Sequence, residues 1–168
     1  MRKLLTFVGV IFILSSVSIA QNKKAEKEAA AKAQFEKALA VIEAKDFVII
    51  VDTYEASDRT ITTNTDATIF LSIEKEFAYL QGKILAGNDY TNKLNVSDYN
   101  QVADKKGNIK LVMQVKGAYV IAKIEISMKN DGNYADVIIS PTKGASTRFS
   151  GEVVPRAESK YFKKSGGV

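Results

Sequence analysis

The chain has 168 residues, 46% of them hydrophobic and 26% charged, a composition that fills one globular core and leaves little for a second domain. It contains no histidine and no cysteine, which removes the Ser-His-Asp triad, the Cys-His dyad, ordinary zinc and copper centres and every disulfide. The formal charge of +5 is mild and its lysines form no stripe interleaved with aromatics, so no nucleic-acid partner is expected.

Arg2-Lys3, an apolar run from Leu4 to Leu14 and then Ser18-Ile19-Ala20 have the layout of an export leader. Residues 1–20 are therefore predicted to be a signal peptide cleaved after Ala20, giving a periplasmic or secreted protein. The apolar run falls short of the ~20 residues that a spanning helix needs, so no membrane span is expected after cleavage. Residues 21–46 predict one N-terminal helix, because the segment is rich in Ala, Lys and Glu and places Ala31, Phe35, Ala38, Leu39 and Ile42 on one side. Its first half has only alanines to bury and carries pairs such as Glu28 with Lys32 on the solvent face. The second half is expected to dock on a sheet.

Residues 47–154 predict an antiparallel β domain. Phe47 to Tyr54 is apolar on both faces, as in a strand covered on both sides. Ser57 to Asp66 is polar enough for a loop or a weak edge strand, and Ala67 to Ile73 resumes the strand pattern. Glu74-Lys75-Glu76 is a turn, Phe77 to Leu80 returns antiparallel, and Gly82 to Asn92 is an irregular excursion. Leu94 to Val102 is a weaker strand pattern, and Asp104 to Asn108 turns the chain again.

From Ile109 onward the alternation is clear. Ile109, Leu111, Met113 and Val115 are apolar against polar Lys110, Gln114 and Lys116, and Val120, Ala122, Ile124, Ile126 and Met128 continue the inner face after the turn at Gly117-Ala118. Asp131-Gly132 takes the positive φ of a hairpin, followed by Ala135, Val137 and Ile139, a turn at Pro141-Thr142-Lys143-Gly144, and a last strand with Thr147, Phe149 and Val153. Residues 155–168 read as a flexible basic tail, since Pro155 stops pairing. The fold class expected is mainly β (α+β by strict count): a single antiparallel meander curled into an open barrel or a sandwich, preceded by one N-terminal helix.

The Ala/Lys/Glu helix, Phe47-Val48, Phe77-Ala78-Tyr79-Leu80, Asp98-Tyr99, Asp131-Gly132 with Ala135, and Phe149-Ser150-Gly151-Glu152-Val153 occur together in one order. In this the chain resembles the bacterial envelope family known as domain of unknown function 4251, over nearly its whole length. The family carries no assigned activity, so the resemblance implies an envelope setting and names no reaction. Members commonly follow the equivalent of Tyr79-Leu80 with a proline, an aromatic pair and a glycine. Here Gln81-Gly82-Lys83-Ile84 follows, so no role of that loop is carried over.

Few residues offer chemistry. Ser72 and Lys75 have Ser-x-x-Lys spacing but sit at a strand end without the partner motifs. Glu74 and Glu76 are close enough for paired carboxylates, although a charged turn accounts for them. The polar group Asn88, Asp89, Asn92, Asn95, Asp98 and Asn100 lacks the ordered spacing of a calcium loop, so no metal and no cofactor are implied. Tyr79, Tyr90 and Tyr99 bracket the irregular excursion and are the candidate ligand or partner contacts. The expectation is a non-enzymatic binding or structural module whose partner is a small apolar ligand, a glycan or an envelope protein. The alternative is a hydrolase using carboxylates or a Ser/Lys pair.

Overall fold

The computed structural model describes residues 6–164, with side-chain environments from Lys23 onward. Arg2 and Lys3 of the expected leader lie outside the described residues, as do the last four residues of the tail, and the surroundings of the leader's apolar side chains are likewise outside that range.

Helix α1 spans Thr6–Glu43. Ala38 and Ile42 are buried, and Phe35, Leu39 and Val41 pack against the same core, so only the second half of the described stretch docks, as its apolar spacing predicts. Exposed ion pairs on its outer side run Lys24–Glu28 and Lys32–Glu36, each at 3.8 Å, one turn displaced from the pairing expected for Glu28. Among the described residues no helix is long and apolar enough to cross a membrane. Lys45 takes a left-handed φ of 53° and redirects the chain into the sheet.

Ten strands follow: β1 (Asp46–Ile50), β2 (Thr53–Glu55), β3 (Ile61–Thr63), β4 (Phe70–Glu74), β5 (Phe77–Gln81), β6 (Thr91–Ala103), β7 (Ile109–Lys116), β8 (Ile121–Met128), β9 (Tyr134–Pro141) and β10 (Thr147–Pro155). A single helical turn, α2 (Lys83–Ala86), separates β5 from β6. β4 to β10 form an antiparallel meander, and β1 pairs with β4 on one side and β10 on the other. The sheet thus closes into an eight-stranded barrel, a more complete closure than an open barrel and incompatible with a sandwich.

Closure depends on a bend. β1 meets β10 at Ile49↔Val153, and β2 meets it again at Thr53↔Ser150, one residue out of step. Between them Val51 donates to Ile69 O and Asp52 to Ser150 O, both at 2.9 Å, so the chain passes from one neighbour to the other without losing its ladder. Gly151 permits the crossing, because a Cβ there would lie 2.1 Å from the backbone oxygen of Ile50. This glycine is needed for space rather than for its φ.

The barrel interior is filled. Ile109, Leu111, Met113 and Val115 face inward, as do Ala122, Ile124, Ile126 and Met128, with Lys110 and Gln114 outside. Eight strands enclose a lumen that side chains can just fill, and Phe47, Leu71, Leu80 and Phe149 complete it. Helix α1 covers the end defined by the start of β1 and the end of β10. There β6 carries a bulge between Ser97 and Asn100, with Asp98 at φ 52°. The bulge turns Tyr99 toward the helix, where its hydroxyl donates to the Ile42 carbonyl at 2.6 Å.

One expectation is corrected. The segment read as a flexible basic tail is seated on the barrel through Lys164. A 3₁₀ turn at Arg156–Glu158 is tied by Arg156 to Asp46 at 2.6 Å and by Glu158 to Lys37 of α1 at 2.5 Å. Tyr161 then packs edge-on against Phe70, ring centroids 4.8 Å apart. The outer faces of β4 and β5 supply the polar anchors described next. Pro155 is the last residue of β10 and still pairs with Phe47, and beyond it Tyr161 covers Phe70 while the Phe162 side chain stays 66% exposed.

Candidate functional site

The end of the barrel opposite α1 is the mouth, and three turns converge there. Gly82 has φ 106° and lies so close to Ile69 that a Cβ would approach its Cγ2 to 2.8 Å, which lets the chain fold sharply into α2. Gly87 ends that turn in the left-handed region, its N–H donating to Lys83 O at 2.9 Å. α2 inserts Leu85 into the core while Ile84 and Ala86 stay half-buried. Asn88 and Asn92 exchange amide hydrogen bonds of 2.9 and 3.1 Å behind it, and Thr147 donates to Ile84 O at 3.4 Å from the far side.

The second turn joins β7 to β8, with Gly117 donating to Val120 O at 2.8 Å. Val120 closes over the interior, whereas Tyr119 is 74% and Ile121 46% exposed. The third turn, between β9 and β10, runs past Pro141, Lys143 and Ala145, and Thr142 donates to Ile121 O at 2.9 Å. Between the three lies a cavity of about 490 Å³, within the size range of small-molecule sites. Leu85, Val120 and Ile139 form its floor, Tyr119 and Ile121 its rim, and Lys83 and Lys143 are its charged side chains; no carboxylate lines it. Clefts of about 540 Å³ beside Phe77 and Lys93, and about 550 Å³ beside Val102 and Met128, lack converging turns of this kind.

A second polar cluster lies on the outer wall beneath the tail. Glu74 accepts from Ser72 Oγ at 3.0 Å, Tyr161 at 2.8 Å and Lys163 at 2.7 Å. Burial acts to raise the Glu74 pKa, but the hydrogen bonds from Lys163, Tyr161 and Ser72 outweigh it and hold the carboxyl below its ordinary value. Lys163 also sits 3.4 Å above the Tyr79 ring. Gln81, fully buried, donates to Thr68 O at 2.7 Å and Phe162 O at 2.9 Å and accepts from the Lys164 N–H at 2.7 Å and from Thr91 Oγ1. All its polar atoms are used to hold the tail.

The sequence-predicted residues do not assemble into one site. Tyr79 faces outward under Lys163, Tyr90 is 57% exposed beside α2, and Tyr99 turns toward α1 at the opposite end, where burial raises its phenol pKa. Ser72 bonds to Glu74 while Lys75 reaches the Ala44 carbonyl at 3.1 Å, so the Ser/Lys pair is not formed. Glu76 is exposed, whereas Glu74 is engaged with the tail. Among the described residues no cluster of three acidic side chains is placed to hold a metal ion. The mouth escaped sequence reasoning because its residues come from three separate turns. The available signal was two apolar side chains, Tyr119 and Ile121, flanking a hairpin where polar residues are usual.

A scan of family models finds no match, and a search of characterised proteins finds none either. Among solved structures the barrel superposes on the crystal structure of a DUF4251 family protein from Bacteroides eggerthii with a TM-score of 0.68, covering 79% of this chain and 94% of that one at 24% identity. The chain resembles DUF4251 in fold. The residues that carry the DUF4251 resemblance fall at the joints of the barrel: Phe47-Val48 opens β1, Asp98-Tyr99 is the bulge, Asp131-Gly132 is the β8–β9 turn, and Gly151 is the crossing point. The DUF4251-like motifs thus account for architecture, and the mouth lies in segments outside them.

Proposed function

We propose that the protein is an exported, non-enzymatic binding module of the cell envelope, with the barrel mouth as its ligand site. The observation that carries this reading is the cavity of about 490 Å³ held between three turns over a filled core. Its apolar floor favours a small ligand with an apolar portion over a glycan. The leader-like N-terminus supports the location. The alternative hydrolase requires a carboxyl with a raised pKa in a cleft. The shifted carboxylates, Asp58, Asp66, Glu74, Asp104 and Glu125, all move down, through hydrogen bonds and ion pairs.

Native mass spectrometry of protein recovered from its own envelope fraction tests the reading. The expected result is a small-molecule adduct that disappears in Ala145→Trp, which fills the mouth from an exposed position. An adduct unaffected by Ala145→Trp, or an apo protein that turns over esters or glycosides and loses that activity in Glu74→Gln, would overturn it.

A further inference from the structure

Resting on the mouth as ligand site, we infer that its ligand is a single-chain anionic amphiphile, a carboxylate on an aliphatic chain of the fatty-acid type. The chemistry of the lining separates into two zones. Leu85, Val120 and Ile139 present only hydrocarbon at the floor, and all three are largely or wholly buried against the barrel core. An aliphatic chain laid over them removes chiefly its own apolar surface from water, since the floor residues are already at most 9% exposed. Tyr119 and Ile121, exposed at 74% and 46%, extend that surface to the rim, where a chain longer than the cavity would lie.

The charge of the rim has one sign. Lys83 stands on α2 and Lys143 on the β9–β10 turn, on two of the three turns around the opening, and neither is engaged in an ion pair among the described residues. Unpaired lysines also occur elsewhere on the described surface, and what sets the mouth apart is that its lining brings two of them to one apolar cavity that no carboxylate lines. Two unneutralised ammonium groups over an apolar floor favour a negative head and repel a positive one. A neutral amphiphile would gain the floor alone.

The assay uses the natural absence of tryptophan: Tyr119→Trp places a single reporter on the rim. Dodecanoate, dodecanol and dodecyltrimethylammonium share one chain and differ in head charge, and acetate supplies the head alone. All are titrated below their aggregation thresholds. The expected result is saturable binding of dodecanoate about fivefold tighter than dodecanol, as two exposed charge contacts provide, with dodecyltrimethylammonium weaker than both and acetate silent. In Lys83→Gln/Lys143→Gln, dodecanoate should fall to the dodecanol level while dodecanol is unchanged. Equal binding of the three chains, or a double variant that binds dodecanoate as before, overturns the anionic head and leaves the mouth reading standing. If no chain binds a folded protein, both fall.

Discussion

Replacing Gly151 by alanine tests the closure of the barrel at its tightest point. The added Cβ would stand 2.1 Å from Ile50 O and 3.1 Å from Ile49 Cγ2, against the more than 3 Å that carbon and oxygen normally keep. The nearest atom is backbone, so no rotamer change relieves the overlap. Either β1 separates from β10 or the Asp52 to Ser150 hydrogen bond is lost. Overpacking a well-fitted interior costs about 1–3 kcal/mol, and a backbone clash at a strand crossing belongs at the upper end, about 3 kcal/mol. With a urea m-value of ~2 kcal/mol/M for a domain of this size, the unfolding midpoint should fall by about 1.5 M with m unchanged. Circular dichroism at the strand band, with urea titration, measures it. The neighbouring Ser150→Ala, which removes only an exposed hydroxyl bonded to Asp136, should move the midpoint by less than about 0.3 M. A Gly151→Ala midpoint as close to the parent as that of Ser150→Ala would refute the contact between β1 and β10 as described.

Tyr99→Phe removes the hydroxyl that donates to the Ile42 carbonyl at the end of α1, and should destabilise by about 1–2 kcal/mol, with faster amide exchange in residues 35–43 than in β7 or β8; unchanged exchange there would contradict the docking role of the bulge. The tail clasp has a pH window whose limits follow from its two groups. Glu74 has a folded pKa below its ordinary 4.5, so its contribution is complete above that value and is lost as pH falls through the folded one, whereas burial and Glu74 push the Tyr161 phenol up to about 12, so its contribution is complete below 10 and is lost as pH rises toward 12. NMR signals of the Tyr161 and Phe70 rings should therefore report a docked tail between these limits and release on the acid side. In Glu74→Gln the acid transition should vanish, and a parent protein whose ring signals stay constant well into the acid range would contradict the clasp.

Legibility from sequence followed the range of the interactions. The faces of β7, β8 and β9 could be read directly, because inward residues mostly alternate with polar ones, Val112, Ile121 and Ile138 being the apolar exceptions, and a short turn fixes the next register. Closure could not be read, since pairing Val48 with Val154 joins positions over a hundred residues apart and leaves no local periodic signal. The tyrosine platform failed for a related reason. Tyr79, Tyr90 and Tyr99 are near in sequence, but strand alternation sends Tyr79 outward, and the bulge at Asp98 sends Tyr99 to the helix end. The seating of the tail was not legible, because the contact of Tyr161 with Phe70 joins residues about ninety positions apart and the lysines around Tyr161 read as solvated chain. The mouth required the fold, since Lys83, Tyr119 and Lys143 meet only once α2 and two hairpins have been brought to the same end.

Amide chemical-shift mapping during titration of the isotopically labelled protein with dodecanoate tests the ligand site most directly. Saturable shifts confined to Lys83–Gly87, Ala118–Ile121 and Thr142–Thr147, with Tyr99 and the α1 end of the barrel unchanged, are the predicted result. Shifts centred on the α1 end, or spread along the outer wall beneath the tail while the mouth stays silent, would contradict it.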